Sequence, residues 1–347
     1  MLYKVAKIEF LIIFIEIFIA FYSIQSLKTN LMSKNNKEQL KEIKVFAPAT
    51  VANLSCGYDV LGVCLTHIGD EIVIKKIAKK GITISEMEGF NLPIEVEKNA
   101  AGVAALALLK EANISYGFDL KIIKKVKPGS GIGSSASSAA GAVFGINYLL
   151  GNLFSKTDLI KFAMEGERIA CGSPIADNVS PAIFGGFTLV KQTQPLQVLS
   201  LPTPKDLYMV ILHPQIEIKT EDSRALLPKK IFLTDAVKQW ANVGSFVSAL
   251  YESDYKLIAD SLHDVIVEPH RAQLIPFFNE VQKLAIKSGS LACGISGSGP
   301  SIYALCKGID SANKVSENLR TFYKSTSVEF HIFTTKINPQ GVTIQEI

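Results

Sequence analysis

Lys127-Pro-Gly-Ser-Gly-Ile-Gly-Ser-Ser-Ala-Ser-Ser-Ala-Ala-Gly141 sets glycines and serines between an apolar run, FDLKIIKKV (118–126), and a helix-like one, AVFGINYLL (142–150). A strand, a Gly/Ser loop and then small residues suited to the first turns of a helix gather backbone N–H groups and a positive helix end around one point. That is an anion site. Glycine lets the backbone approach a phosphate closely and take φ > 0, and serine hydroxyls reach a phosphate oxygen or a bound magnesium. A flexible surface loop is the plainer alternative, but it gives no reason for Ser-Ser-Ala-Ser-Ser-Ala-Ala-Gly, whose small residues suit a helix packed tightly under a ligand. Two known phosphate motifs are excluded: no lysine follows the second glycine as a Walker loop requires, and Gly129-Ser-Gly-Ile-Gly-Ser-Ser lacks the third glycine of the dinucleotide fingerprint.

Outward from the loop, short β-rich runs (IKVFAPATV, EIVIKKI, FDLKIIKKV, GFTLVKQ) alternate with helical patterns near 99–111, 134–150 and 156–170. Past QPLQVLSLPTP come a strand pattern LYMVILH, helices near 232–250, 253–264 and 275–288, a second glycine cluster, a strand IYALC, a helix near 309–323 and a strand VEFHIFTT. Prolines and polar residues concentrate at 192–206, the expected break between two units. The division is residues 1–42 as an extension outside the fold, 43–198 as a first domain and 199–347 as a second.

The 347 residues are 48% hydrophobic, enough for a substantial core. Their +4 net charge, 36 basic against 32 acidic residues, is scattered without a stripe, so nucleic acid is not an expected partner. Five cysteines without C-x-x-C spacing suit reduced thiols and a cytoplasmic location. The apolar run FLIIFIEIFIAFY at Phe10–Tyr22 argues for a signal core or anchor, but Glu16 interrupts it and it falls short of the ~20 residues of a spanning helix. Met32 then opens MSKNNKEQLKEIK, which reads as an ordinary N-terminus, so residues 1–31 are taken as an upstream extension and a membrane partner is expected only if they are retained.

Pro128, Gly131, Ile132, Gly133, Ser134, Ser135 and Ala136 stand in the register P-x-x-x-G-[LI]-G-S-S-A, which resembles the signature of the GHMP kinases, ATP-dependent kinases of small molecules. Ala47-Pro-Ala-Thr-Val-Ala-Asn-Leu-Ser-Cys-Gly-Tyr-Asp-Val-Leu-Gly62 is similar to the first motif of the branch acting on homoserine, and Gly294-Ile-Ser-Gly-Ser-Gly-Pro-Ser301 to the family's third motif. The resemblance implies an α+β, two-domain GHMP-kinase fold: an N-terminal ribosomal-protein-S5-like α/β domain that binds ATP and a C-terminal ferredoxin-like α+β domain. It implies ATP and Mg2+ as cofactors, L-homoserine and ATP as small-molecule partners and, by analogy alone, a homodimer.

Carried over position by position, the resemblance implies that Asn53 and Asp59 line the amino-acid pocket and that Asn178, in CGSPIADNVSPAIFGG (171–186), contacts the substrate hydroxyl. Asp177 stands where the mevalonate branch has its base, and Ile175 where many relatives carry a histidine. A zwitterion needs an arginine fork and a carboxylate; Arg224 and Arg271 lie in segments similar to those holding the carboxylate-binding arginines. Pro128 to Ala136, with Gly129 and Ser130 among them, would hold the phosphates. Glu167 and Ser135 would hold the magnesium; without the family, Glu165 is an equal candidate. Asn99 either contacts the nucleotide base or simply caps a helix. Asn178, Asp177, Glu167 and Arg224 form the expected catalytic set, and a mevalonate-type kinase or a silent ligand-binding homologue is the alternative function. The five histidines are dispersed without metal-ligand spacing, Trp240 reads as a packing residue, and Ser134 and Ser135 lack a nucleophile elbow.

Overall fold

The computed structural model describes residues 40–345, so everything read from residues 1–31 lies outside the described residues. Two lobes follow one another. The first is built on β1 (Glu42–Ala52), β2 (Leu61–Ile77), β3 (Gly81–Glu88), β4 (Gly117–Ile123), β5 (Phe187–Thr193) and β6 (Leu196–Leu201). The 17-residue β2 organises it: β2 pairs with β1 along most of its length, with β4 through Glu71–Ile77, and with β5 through Leu61–Val63. β3 joins β4 in parallel and β6 closes a hairpin on β5.

Alternation along the strands decides which face is covered. Ile72 and Ile74 of β2 and Phe118, Leu120 and Ile122 of β4 point to one side. Against that side lie α1 (Ala100–Ala112), α2 (Ser134–Leu149) and α3 (Lys156–Cys171). The small residues of the opening stretch are explained here. A Cβ on Gly141 would come 2.6 Å from the Cβ of Ala47, and one on Gly145 2.4 Å from Ile74 Cδ1, so α2 lies closer to the sheet than side chains would allow. A short α4 (Val179–Phe184) completes the layer.

The second lobe is a sheet of β7 (Leu207–Pro214), β8 (Ala292–Ile295), β9 (Ile302–Lys307) and β10 (Phe330–Lys336) in the order β10-β7-β9-β8, all antiparallel. Between β7 and β8 the chain forms α5 (Thr220–Ala225), α6 (Leu233–Glu252), α7 (Tyr255–Ser261), α8 (Glu268–Arg271) and α9 (Phe278–Ser288). On one face α9 and α10 (Ile309–Lys324) cover Val210, Leu212, Cys293 and Ala304. The other face, with Met209, Ile211 and Leu305, joins Phe246 and Leu250 of α6 to Leu61, Val63 and Phe187 of the first lobe in a shared core. A two-lobed α+β architecture, as the sequence led one to expect, is therefore present. Where a break was read at 192–206, the chain completes β6 before β7 begins at Leu207, and at its far end β11 (Thr343–Gln345) returns to pair with β1. Among the described residues no helix is long and apolar enough to cross a membrane.

Candidate active site

The loop after β4 carries Gly129, Gly131 and Gly133 at φ of 70°, 82° and 66°, the left-handed region that glycine tolerates. Gly131 has a second constraint: a Cβ there would stand 2.5 Å from Gly299 O, because the glycine turn before β9 presses against the loop. Ser296 Oγ donates to Gly131 O (2.7 Å) and the Ser301 N–H to Ser130 O (3.2 Å), tying the two turns together. Ser134, Ser137 and Ser138 are spent on the scaffold, their hydroxyls donating to Val126 O (2.9 Å), Ala47 O (2.6 Å) and Asp70 Oδ2 (3.1 Å). Ile132 and Ala136 are buried in the two cores, so their side chains face away from the cleft. Ser135 lines the cleft of about 870 Å³ along with Pro128, Gly129, Ser130, Gly131, Gly133 and Ser134.

Across the N-terminus of α2, α3 presents Glu167. The carboxyl is buried, which pushes its pKa up to about 7, while the Ser135 hydroxyl against it and the Lys124 charge pull the other way. Its Oε1 has no protein partner. A buried carboxylate oxygen with nothing to bind, next to a hydroxyl at the anion cradle, fits the one or two protein oxygens that magnesium takes. Lys124 went unnoticed in the sequence. Its ammonium is fully enclosed, pairs with Asp70, and donates to Ser134 O (2.5 Å) and Ser138 Oγ (2.8 Å), pinning the first turn of α2. It stands in a run of lysines that would ordinarily be solvated, and only its place just past the end of β4, where its N–H donates to Glu88 O (2.9 Å), separates it from them.

The opposite side of the cleft is assembled from both lobes. Arg224 of α5 donates through Nη2 to Asp59 Oδ1 (2.7 Å). Asn53 accepts the Asp59 N–H (3.0 Å) and donates to Gly297 O (2.8 Å). Arg271 is buried, its Nη1 donating to Gly297 O (3.0 Å). The Tyr58 ring, unremarked in the sequence, receives both guanidiniums, at 5.6 Å from Arg224 and 5.2 Å from Arg271. Asp177 is buried, and desolvation followed by the neighbouring Asp59 and Glu167 charges raises its carboxyl to about 8. Asn178 accepts from Thr50 Oγ1 (2.7 Å), a partner the sequence did not single out although it sits in the first motif. Ile175 lines the same cleft.

Asn99 caps α1: its Oδ1 accepts from the N–H groups of Ala101 (3.0 Å) and Gly102 (3.4 Å) and its Nδ2 donates to Pro93 O (2.8 Å), while it also lines the cleft. Glu165 faces solvent, paired with Arg168. The reading of Trp240 as a packing residue is corrected, since that side chain is 57% exposed on α6. Among the described residues no cluster of histidines, cysteines and carboxylates could hold a metal by itself.

Profiles of the N-terminal and C-terminal domains of the GHMP kinases match residues 83–186 and 246–325. The homoserine kinase of Chlorobium phaeobacteroides is 39% identical over 319 residues, covering 88% of this chain and 100% of that protein. The chain belongs to the GHMP kinase family. Another relative named homoserine kinase, from Methanococcus vannielii, is 41% identical over 77% of this chain and 89% of its own. The crystal structure of homoserine kinase from Cytophaga hutchinsonii superposes with a TM-score of 0.85 at 45% identity, over 88% of this chain and 98% of that one. An R-mevalonate complex of a mevalonate kinase at 15% identity and TM-score 0.64 shares the family fold. The full-length relatives thus put this kinase in the homoserine branch, with ATP as its phosphoryl donor.

Proposed function

We propose that the cleft transfers the γ-phosphoryl group of ATP to the side-chain hydroxyl of L-homoserine, giving O-phospho-L-homoserine, a threonine precursor. The observation that supports this is one cleft lined both by an amide-rich helix N-terminus and by an arginine–aspartate pair of the charges a zwitterion needs. The glycine loop and α2 N-terminus receive the phosphates. Arg271 and Arg224 receive the substrate carboxylate, and Asp59 the ammonium. Asn178, fixed through Thr50, orients the hydroxyl as its oxygen attacks the γ-phosphorus and the bond to the β-phosphate oxygen breaks. Such transfer has a loose transition state in most analyses, so positioning and charge stabilisation do most of the work. Glu167 and Ser135 would hold a magnesium ion, which when bound neutralises charge on the transferring phosphates. Five free thiols suit a reducing cytoplasm as the setting.

The test is ADP production by the full chain with ATP and magnesium in the presence of L-homoserine, mevalonate, L-serine or no acceptor. Dependence on L-homoserine is the expected result, with Glu167→Gln losing on the order of 10²-fold in turnover while homoserine binding stays. Acceptance of mevalonate instead would move the chain to another branch, and unchanged turnover at saturating magnesium would remove Glu167 from the site.

A further inference from the structure

The turn that carries Tyr58 holds a conformation that side chains disfavour. Leaving β1, Asn53, Leu54 and Ser55 stand at φ of 72°, 44° and 55°, in the left-handed region. The Gly57 N–H donates to Asn53 O (2.8 Å), the Asp59 N–H to Asn53 Oδ1 (3.0 Å), and Ser55 Oγ is bonded to the buried Tyr303 hydroxyl (2.7 Å), so the turn is anchored in both lobes. Strain of this kind gathers at functional sites. What the turn presents is one ring to two cations, Arg224 at 5.6 Å and Arg271 at 5.2 Å from its centroid. Desolvation and the Asp59 charge raise the Tyr58 hydroxyl pKa, so the ring is that of a neutral phenol, with a negative face. Arg271 is buried beside a like charge, and its hydrogen bonds go to the neutral carbonyl oxygens of Gly297 (3.0 Å) and Ser223 (3.4 Å). Arg224 donates through Nη2 to Asp59, and its buried Nε has no partner.

We propose that Tyr58 is a positioning residue whose ring holds Arg224 and Arg271 together as one clamp, and so gives the cleft its preference for an acceptor alcohol that carries a carboxylate. This rests on the homoserine reading above. An Asp59 carboxylate that also receives the substrate ammonium holds Arg224 less firmly. An aromatic face, by contrast, holds a guanidinium without using any of its N–H donors, which stay free for the substrate carboxylate.

The test is steady-state kinetics of the full chain with ATP and magnesium, with L-homoserine as substrate and 3-aminopropan-1-ol, the same alcohol without the carboxylate, as a competitor. In Tyr58→Leu the KM for L-homoserine is expected to rise roughly tenfold or more, while the KM for ATP and the inhibition constant of the aminoalcohol stay within about twofold. Tyr58→Phe, which keeps the ring, brings the homoserine KM back to within about threefold of the native value. Phenylalanines of increasing ring fluorination at position 58 keep the ring's shape and drain its face of negative charge, so log KM for L-homoserine should climb along the series even if Tyr58→Leu fails to fold. An unchanged KM in Tyr58→Leu, an equal loss in Tyr58→Phe, a fluorine series without a trend, or a loss shared equally by ATP and the aminoalcohol overturns the proposal and leaves the homoserine reading standing. A native chain that binds the aminoalcohol as tightly as L-homoserine overturns the carboxylate-binding role of the arginines, and the proposal with it.

Discussion

Asp177 illustrates how burial sets the chemistry of a single residue. Its carboxyl is lifted from 3.8 to about 8 by desolvation, with the Asp59 and Glu167 charges adding and Arg224 opposing. In the free protein near neutral pH it therefore holds its proton. The unfolded chain has released that proton above pH ~4, so the stability from this group is complete below pH 3.8 and is lost as pH rises through about 8. The same titration governs proton acceptance. If Asp177 takes the hydroxyl proton, turnover at saturating substrate rises between pH 6 and 8.5 and levels above the carboxyl pKa. Asp177→Asn is expected to flatten that rise and to lower the plateau by about 10²-fold. A pH profile unchanged in the variant would mean that transfer proceeds without a protein base at this position. That Asp177 and Asn178 line the cleft was legible because both belong to the segment 171–186 that resembles the family's. Thr50, Tyr58 and Lys124 act through contacts 128, up to 213 and 54 positions away in the chain, to Asn178, to the two arginines and to Asp70, and local spacing carries no sign of such partners.

At the scale of elements, the glycine loop separates two costs that sequence reading merges. Gly131 and Gly172 both have positive φ, 82° and 74°, but only Gly131 has a neighbour in the way: the Cβ of an alanine would lie 2.5 Å from Gly299 O, whereas nothing stands within 4 Å at Gly172. Gly172→Ala should therefore cost only the backbone strain, about 1–2 kcal/mol, with ATP binding retained. Gly131→Ala must also push the turn before β9 off the glycine loop, breaking the Ser296–Gly131 bond. ATP affinity, read by calorimetry, is expected to fall at least tenfold in Gly131→Ala and less than threefold in Gly172→Ala; equal losses would show that the loop's contact with the turn is idle. Periodicity did well on long elements such as α2, α10 and β7. It missed β8, four residues with a glycine inside, and β6, which prolines at 195 and 202 bracket. It also gave only the second half of β2, because the first half, LGVCLTHIGD, breaks the alternation where β2 changes partners from β5 to β4.

Across the whole molecule, the sequence motifs supplied both halves of the cleft, and the shared core holds the halves in place. That core was not legible, since neither lobe's strands announce which face meets the other lobe. Phe187 of β5 and Phe246 of α6 meet edge to face at 5.8 Å in its centre, both fully buried. β11 adds a covalent return of the second lobe to the first sheet. Two lobes that share buried residues should unfold together, so calorimetry of the kinase is expected to show one transition. Phe246→Ala removes a fully buried ring, at a cost of about 3–5 kcal/mol. If the core couples the lobes, that loss moves the single transition down by roughly 5 °C or more as one peak. ATP bound to the first lobe would raise the same peak. Splitting into two peaks, with ATP shifting only one, would show instead that each lobe is stable by itself and that the shared core contributes alignment of the cleft without cooperativity.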